Sequence, residues 1–272
     1  MSRKATQLKL GEEDHLNVLV DQAISMIQEY EPPEGWFVGD SGGKDSTVLL
    51  SLVRESKTKY QSFYSKTGID PPEVVKFIQK YHPETKCIRP LFTRKRAYPE
   101  WKGTRSFFGM LQVKGFPCRT TRWCCDTLKK LPAYRVGLQS RLLGMRAEES
   151  RVRAGRPMIE KYKNQMVYKP LFHWKTWHIW EYIESQNLPY CELYDQGFER
   201  IGCVVCPFLC HGIKGNLKLH MDRWPKFYAA FEKAMRKLFW NYECVVNPRS
   251  GAWNYRRETD YDEFLQHWYE GV

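Results

Sequence analysis

No apolar run in this sequence approaches the ~20 residues that a membrane-crossing helix needs. Nothing apolar follows Met1-Ser2-Arg3-Lys4 in the manner of a secretory leader. A soluble, cytoplasmic protein with no membrane partner is expected. Internal repeats and low-complexity linkers are also missing, which argues against a solenoid or a string of modules. Acidic residues are scarce in one place. Between Lys86 and Arg156 stand only Glu100, Asp126, Glu148 and Glu149, against 18 lysines and arginines, so that stretch has a net charge of +14. The whole chain carries +12, which leaves the remainder near neutral at −2. Positive charge confined to one segment points to a polyanion, whether nucleotide phosphates, sulfate or a nucleic-acid backbone, because ordinary surface charge mixes both signs.

What is present suffices for a folded α/β protein. Hydrophobic residues make up 42% of the 272 and aromatics 15%, enough for a sizeable core. Leu16, Leu19, Val20, Ala23, Ile24 and Ile27 recur at helical spacing, and Pro32-Pro33-Glu34-Gly35 ends that helix. Strands are expected at Trp36–Val38, Tyr60–Tyr64, Lys86–Ile88 and Arg141–Gly144. Helices are expected after Thr47, from Pro71 to about Tyr81, over Trp174–Gln186 and over Trp224–Trp240. Alternating strands and helices imply a mainly parallel sheet flanked by helices. The expected division is a nucleotide-binding domain over 1–190 and a small cysteine-containing C-terminal lobe over 191–272. Trp174, Trp177 and Trp180 read as a core-facing stripe in preference to a base-stacking platform.

Between the first strand and its helix lies Ser41-Gly42-Gly43-Lys44-Asp45-Ser46. A glycine-rich turn there presents backbone N–H groups at the positive end of a helix, a ready phosphate site. Lys44 adds charge, Ser46 a hydroxyl, and Asp45 a carboxylate to cap the helix or position a metal. A Walker A loop needs four residues between its first glycine and the Gly-Lys pair, and Gly39 to Lys44 offers three. The six residues instead resemble the signature of the PP-loop ATP pyrophosphatases. That resemblance implies an adenine nucleotide alpha-hydrolase-like (Rossmann-like) fold. It also implies binding of ATP with Mg2+, cleaved between its α and β phosphates, or of an adenylated sulfate.

Residues 34–225 further resemble the phosphoadenosine phosphosulfate reductase branch of that superfamily. Thr67-Gly68 with Pro72-Glu73 is similar to its second-strand motif near the nucleotide. Cys118-Arg119 and Arg122-Trp123-Cys124-Cys125, with Lys129 and Lys130, resemble its central segment. Gly144-Met145-Arg146-Ala147-Glu148-Glu149-Ser150 with Arg153 resembles its basic motif, implying that Arg146 and Arg153 face phosphate or sulfate. Leu193-Tyr194-Asp195-Gln196-Gly197 then leads to Cys203-Val204-Val205-Cys206.

The chain has nine cysteines: Cys87, Cys118, Cys124, Cys125, Cys191, Cys203, Cys206, Cys210 and Cys244. In a reducing compartment such clustering suggests metal binding or thiol chemistry. Cys124-Cys125 and Cys203-x-x-Cys206 make two pairs that can hold either zinc or a [4Fe-4S] cluster. The tandem cysteines resemble those of the iron–sulfur subset, which favours the cluster. Arg119, Arg122 and Lys129 would lower the pKa of nearby thiols. Cys118 and Cys210 read as ordinary cysteines ahead of redox or persulfide-carrying ones.

The chain departs from the sulfate reductases at one motif. Their nucleophilic cysteine lies in Glu-Cys-Gly-x-His, and here the sequence is Glu243-Cys244-Val245-Val246-Asn247. This counts against reduction of adenylated sulfate and favours ATP-dependent sulfur insertion into nucleic acid. Such enzymes include those of DNA phosphorothioation (the Dnd and Ssp systems) and of tRNA thiolation, which draw sulfur from a partner such as a cysteine desulfurase. The basic segment suits a nucleic-acid partner, DNA ahead of tRNA, with the nucleotide and sulfate as alternative claims on several of its charges. The interleaved Tyr98, Trp101, Phe107, Phe108 and Trp123 read equally as a strand-contacting surface or as core. A reductase of adenylated sulfate, a tRNA thiolation enzyme and a non-catalytic binding subunit are the alternatives.

Overall fold

In a computed structural model the described residues are 12–90, 106–117, 122–206, 216–241 and 260–270. Tyr98, Trp101, Cys118, Arg119, Cys210 and Cys244 lie outside them, as does part of the basic segment. A six-stranded sheet runs in the order β3-β2-β1-β4-β6-β5. Its strands are β1 (Trp36–Gly39), β2 (Tyr60–Ser65), β3 (Lys86–Ile88), β4 (Ser140–Leu143), β5 (Ile159–Tyr162) and β6 (Gln165–Tyr168). β1 pairs in parallel with β2 and β4, and β4 with β6, while β5 adds an antiparallel edge. The mainly parallel sheet flanked by helices is the nucleotide alpha-hydrolase-like architecture expected from the sequence.

The chain divides into two compact units, each drawn from several stretches of sequence. One comprises residues up to Tyr64, Glu73–Lys86 and Gly137–Gln196. The other comprises Ser65–Pro72, Cys87–Val136 and residues from Gly197 onward. The expected division at residue 190 is contiguous, whereas these units are not.

In the first unit, α1 (Glu12–Glu29), α2 (Lys44–Ser56) and α7 (Thr176–Ser185) supply the apolar stripes of one core. Leu16, Ile27, Trp36, Val38, Leu49, Leu50, Leu142, Trp174 and Ile179 are all buried in it. Trp36, Phe37 and Val38 are buried in succession because β1 is a central strand covered on both faces. The indole N–H of Trp36 satisfies itself on the Ile27 carbonyl at 3.1 Å. The chain leaves β1 toward β2 on one side and later returns as β4 on the other. Their C-terminal ends therefore flank the switch point where such sheets bind ligands.

Two sequence expectations need amendment. The β5–β6 hairpin was not anticipated, because its two-residue turn is Lys163-Asn164 and not a glycine-containing pair. Lys163 nonetheless adopts the left-handed conformation such turns need, at φ 55°. The tryptophan stripe also divides: Trp174 is buried, Trp180 half-buried against Tyr190 and Tyr194, and Trp177 is 47% exposed. Because α7 starts at Thr176, Trp174 precedes the helix and Trp177 sits on its outer face.

The second unit is aromatic. Phe107, on α4 (Phe107–Lys114), stacks on Trp123 at 5.6 Å, and Phe231 packs on Trp268 at 4.8 Å. Phe231 belongs to α9 (Pro225–Asn241) and Trp268 to α10 (Tyr261–Glu270). The Trp268 indole N–H donates to the Pro117 carbonyl at 2.8 Å. Among the described residues no helix is long and apolar enough to cross a membrane.

Leu49→Ala should cost about 3 kcal/mol, since Leu49 is fully enclosed and its removal leaves a cavity as well as a lost transfer term. The midpoint of urea unfolding measures this.

Candidate functional site

The turn after β1 is shaped by glycine. Gly42 stands at φ 67°, and a Cβ there would lie 2.8 Å from Val74 Cγ1, so both conformation and space require glycine. Ser46 closes the turn: its hydroxyl donates to the Gly43 carbonyl at 2.9 Å and accepts from the Ser41 N–H at 3.1 Å. Lys44, the first residue of α2, is buried, and its ammonium lies 3.5 Å from Asp45 Oδ2 and 5.3 Å above the Tyr194 ring. Its backbone N–H, one of the unpaired donors at a helix start, donates to the Tyr194 hydroxyl at 2.9 Å. The loop thus gathers N–H donors and an ammonium at the positive end of a 13-residue helix.

A buried carboxylate anchors the turn. Asp40 accepts from the Gly42 N–H at 2.9 Å, meets His82 Nδ1 at 2.8 Å and accepts from Thr85 Oγ1 at 2.9 Å. Burial alone would raise the Asp40 pKa, but these hydrogen bonds and the adjacent His82 outweigh it and hold it below the ordinary carboxylate value.

On the β4 side, backbone meets backbone. A Cβ at Gly144 would lie 3.0 Å from the Asp45 carbonyl, so only glycine lets the end of β4 approach so closely. Arg146, two residues on, is 4% exposed. Its Nε donates to Asp45 Oδ1 at 2.5 Å and its Nη1 to Glu148 Oε2 at 2.7 Å and to the Trp174 carbonyl at 3.3 Å. Its Nη2 donates to Thr176 Oγ1 at 3.2 Å. In this arrangement Arg146 is a strut whose donors meet protein groups. Arg153 pairs with Glu149.

The other unit holds the four predicted ligand thiols, Cys124, Cys125, Cys203 and Cys206. Cys124 precedes and Cys125 opens a π-helical turn, Cys125–Lys130. The Cys124 thiol hydrogen-bonds to Cys125, which also lies beside Lys129 and Arg122, and the Cys125 pKa falls to about 5 despite partial burial. The Cys124 pKa is pushed up by that hydrogen bond, by burial and by the other thiols, Cys206 and Cys203 among them. The Lys129 pKa is raised chiefly by Cys203, with Asp70 and Cys206 contributing. Arg122 Nη2 approaches Cys125 Sγ at 3.9 Å. Cys125, Cys203 and Cys206 thus interact electrostatically with Lys129, and Cys124 with the other three thiols. Among the described residues, however, no three cysteines, histidines or carboxylates close on a single-ion position.

Thr67 and Gly68 belong to this unit. Thr67 Oγ1 lies 3.6 Å from Cys203 Sγ, and Asp70 collects the Thr67 N–H, the Thr67 hydroxyl and the Gly68 N–H at 2.7, 2.8 and 3.2 Å. Gly68, at φ 86°, turns the chain there. His220 and the Tyr228 hydroxyl both reach the Val204 carbonyl, at 3.2 and 3.1 Å, which steadies the Cys203–Cys206 segment.

Sequence reasoning assigned no role to Asp40, His82 or Thr85, and Tyr194 entered only as part of a motif. An acid directly before a glycine-rich turn was the available signal. Asp40 titrates below its unfolded value, so its contribution to stability is present above about pH 4 and lost as pH falls through the folded pKa. Thermal melts from pH 7 to about 2.5 should show Asp40→Asn with a shallower acid decline than wild type. At neutral pH that variant should be less stable by about 1–3 kcal/mol.

Comparison with known proteins places this geometry in a family. Residues 36–209 match the phosphoadenosine phosphosulfate reductase domain. An uncharacterized protein of Methanocaldococcus jannaschii is 30% identical over 213 residues, 74% of this chain and 41% of that protein, so the chain spans less than half of that relative. An adenosine 5'-phosphosulfate reductase of Neisseria meningitidis serogroup B is 28% identical over 189 residues, 66% of this chain and 73% of that one. The crystal structure of a phosphoadenylyl-sulfate reductase from Candida auris shares the fold, with TM-score 0.50, 22% identity and coverage of 73% of this chain and 97% of that one. With its phosphate loop intact and the matched region covering most of its length, the chain belongs to the phosphoadenosine phosphosulfate reductase domain family of the PP-loop superfamily.

Proposed function

We propose that this chain cleaves ATP between its α and β phosphates to adenylate a nucleic acid, from which sulfur then displaces AMP. The phosphate loop carries this reading: its Ser-Gly-Gly-Lys-Asp-Ser turn and the buried Lys44 stand at the positive end of α2, where the charge of departing pyrophosphate would be held. A DNA phosphate is the favoured acceptor. Its oxygen attacks the α-phosphorus, the bond to pyrophosphate breaks, and Mg2+ accompanies the ATP. The outer sulfur of a persulfide, delivered by a cysteine desulfurase-type donor, then attacks the DNA phosphorus, and AMP leaves. A second thiol splits the remaining S–S bond, giving the phosphorothioate and a disulfide.

Of the two groups that four thiols can hold, the [4Fe-4S] cluster is taken ahead of zinc because the tandem Cys124-Cys125 with the distant Cys203-x-x-Cys206 resembles the iron–sulfur subset of the family. Cys124, Cys125, Cys203 and Cys206 would hold the cluster, with Lys129 and Arg122 balancing its negative charge. When bound, it would supply a redox-capable, polarising centre.

A second reading, reduction of adenylated sulfate, is supported by the relative of that name at 28% identity. Its thiol nucleophile would have to be Cys244, in Glu243-Cys244-Val245-Val246-Asn247, outside the described residues. Anaerobically purified protein should release pyrophosphate from ATP, faster with DNA than without, and Lys44→Ala should lower that rate at least ~100-fold. Stimulation by tRNA alone would move the acceptor to RNA. Sulfite formed from adenylyl sulfate and thiol, with no pyrophosphate from ATP, would establish the reductase instead.

A further inference from the structure

Trp177 is 47% exposed, whereas Trp36, Trp123, Trp174, Trp224 and Trp268 are buried and Trp180 is half-buried. On the first turn of α7 the indole lies against the His178 ring, with centroids 3.6 Å apart, and its exposed part offers an aromatic surface on which a base can stack. The stretch of chain that leads to it is rich in positive charge, as contact with a polyanion requires. From Met145 to Trp177 the chain carries eight lysines and arginines against three glutamates. Those glutamates are engaged: Glu148 by Arg146, Glu149 by Arg153, and Glu160 by Lys169 at 2.9 Å. Lys175 and Arg151 are exposed, as is His173.

The position is tied to the phosphate loop. Thr176, the neighbour of Trp177, donates its N–H to Glu148 Oε2 at 2.7 Å and accepts from Arg146 Nη2 at 3.2 Å. The same Arg146 holds Asp45 of the loop. Arg151 follows Glu148 by three residues. One buried guanidinium therefore ties the start of α7, where Lys175 and Trp177 flank Thr176, to the phosphate loop within one unit.

We propose that Trp177 is the stacking platform for a single-stranded segment of the nucleic-acid substrate, with Lys175 and Arg151 contacting its backbone. This rests on the nucleic-acid reading given above and names the surface that would deliver the strand. Stacking on one aromatic is worth enough to change affinity about tenfold or more.

The test is fluorescence anisotropy of a labelled single-stranded oligonucleotide, in DNA and RNA forms of one sequence, titrated with the full chain. Trp177→Ala should weaken binding about tenfold without lowering the melting temperature, and Trp177→Phe should restore most of it. Lys175→Gln and Arg151→Gln should each flatten the dependence of log affinity on log salt by about one unit. Preference between DNA and RNA identifies the strand. Tight binding by wild type that Trp177→Ala leaves unchanged would overturn the platform while sparing the nucleic-acid function. Absence of binding to either strand at low salt, with turnover of adenylyl sulfate, would overturn both.

Discussion

A guanidinium removed from water must have its donors met, and Arg146 meets them by joining three parts of one unit. It holds Asp45 at the start of α2, Glu148 beyond β4, and Thr176 with the Trp174 carbonyl at the start of α7. Charge-assisted hydrogen bonds of this kind are geometrically strict, and breaking one strands a buried charge. The phosphate loop consequently cannot move independently of the end of β4. The missing Cβ of Gly144 completes the arrangement by letting that strand approach the Asp45 carbonyl. An arginine from a family anion-binding motif thus serves this fold first as the brace of the loop.

The opposite flank of the loop is braced by a buried acid. Asp40 draws together the Gly42 N–H, His82 beyond α3 (Pro72–Tyr81) and Thr85 before β3. Gly42 then turns with a positive φ against Val74 and Ile78. With both flanks fixed, the donors of the loop are preorganised. Preorganisation is what lets such groups stabilise developing charge without reorganising during reaction.

The thiol site follows different physics. The hydrogen bond from Cys124 and the nearby Lys129 and Arg122 push the Cys125 thiol toward its thiolate, so cations that the sequence places here favour negative sulfur. Thr67 lies against Cys203 and is joined to the Asp70 turn. Lys129 and Arg122, from the basic stretch, therefore lie with the sulfurs.

By itself the sequence determined the chemistry at short range. The six-residue phosphate loop, the two cysteine pairs, the first strands and the helix after Pro71 were all legible, because turns, helix starts and strand alternation depend on neighbours a few residues away. The hairpin at Lys163-Asn164 escaped because its turn residues are unusual and its left-handed backbone carries no sequence signature. Only the tertiary structure decided partners. Asp40 meets His82 across 42 residues, Arg146 meets Asp45 across 101, and Thr67 meets Cys203 across 136. It also decided which of three similarly spaced tryptophans faces water, since that depends on where α7 begins relative to the core. Burial and partner choice are properties of packing, and packing depends on what the rest of the chain brings to each surface.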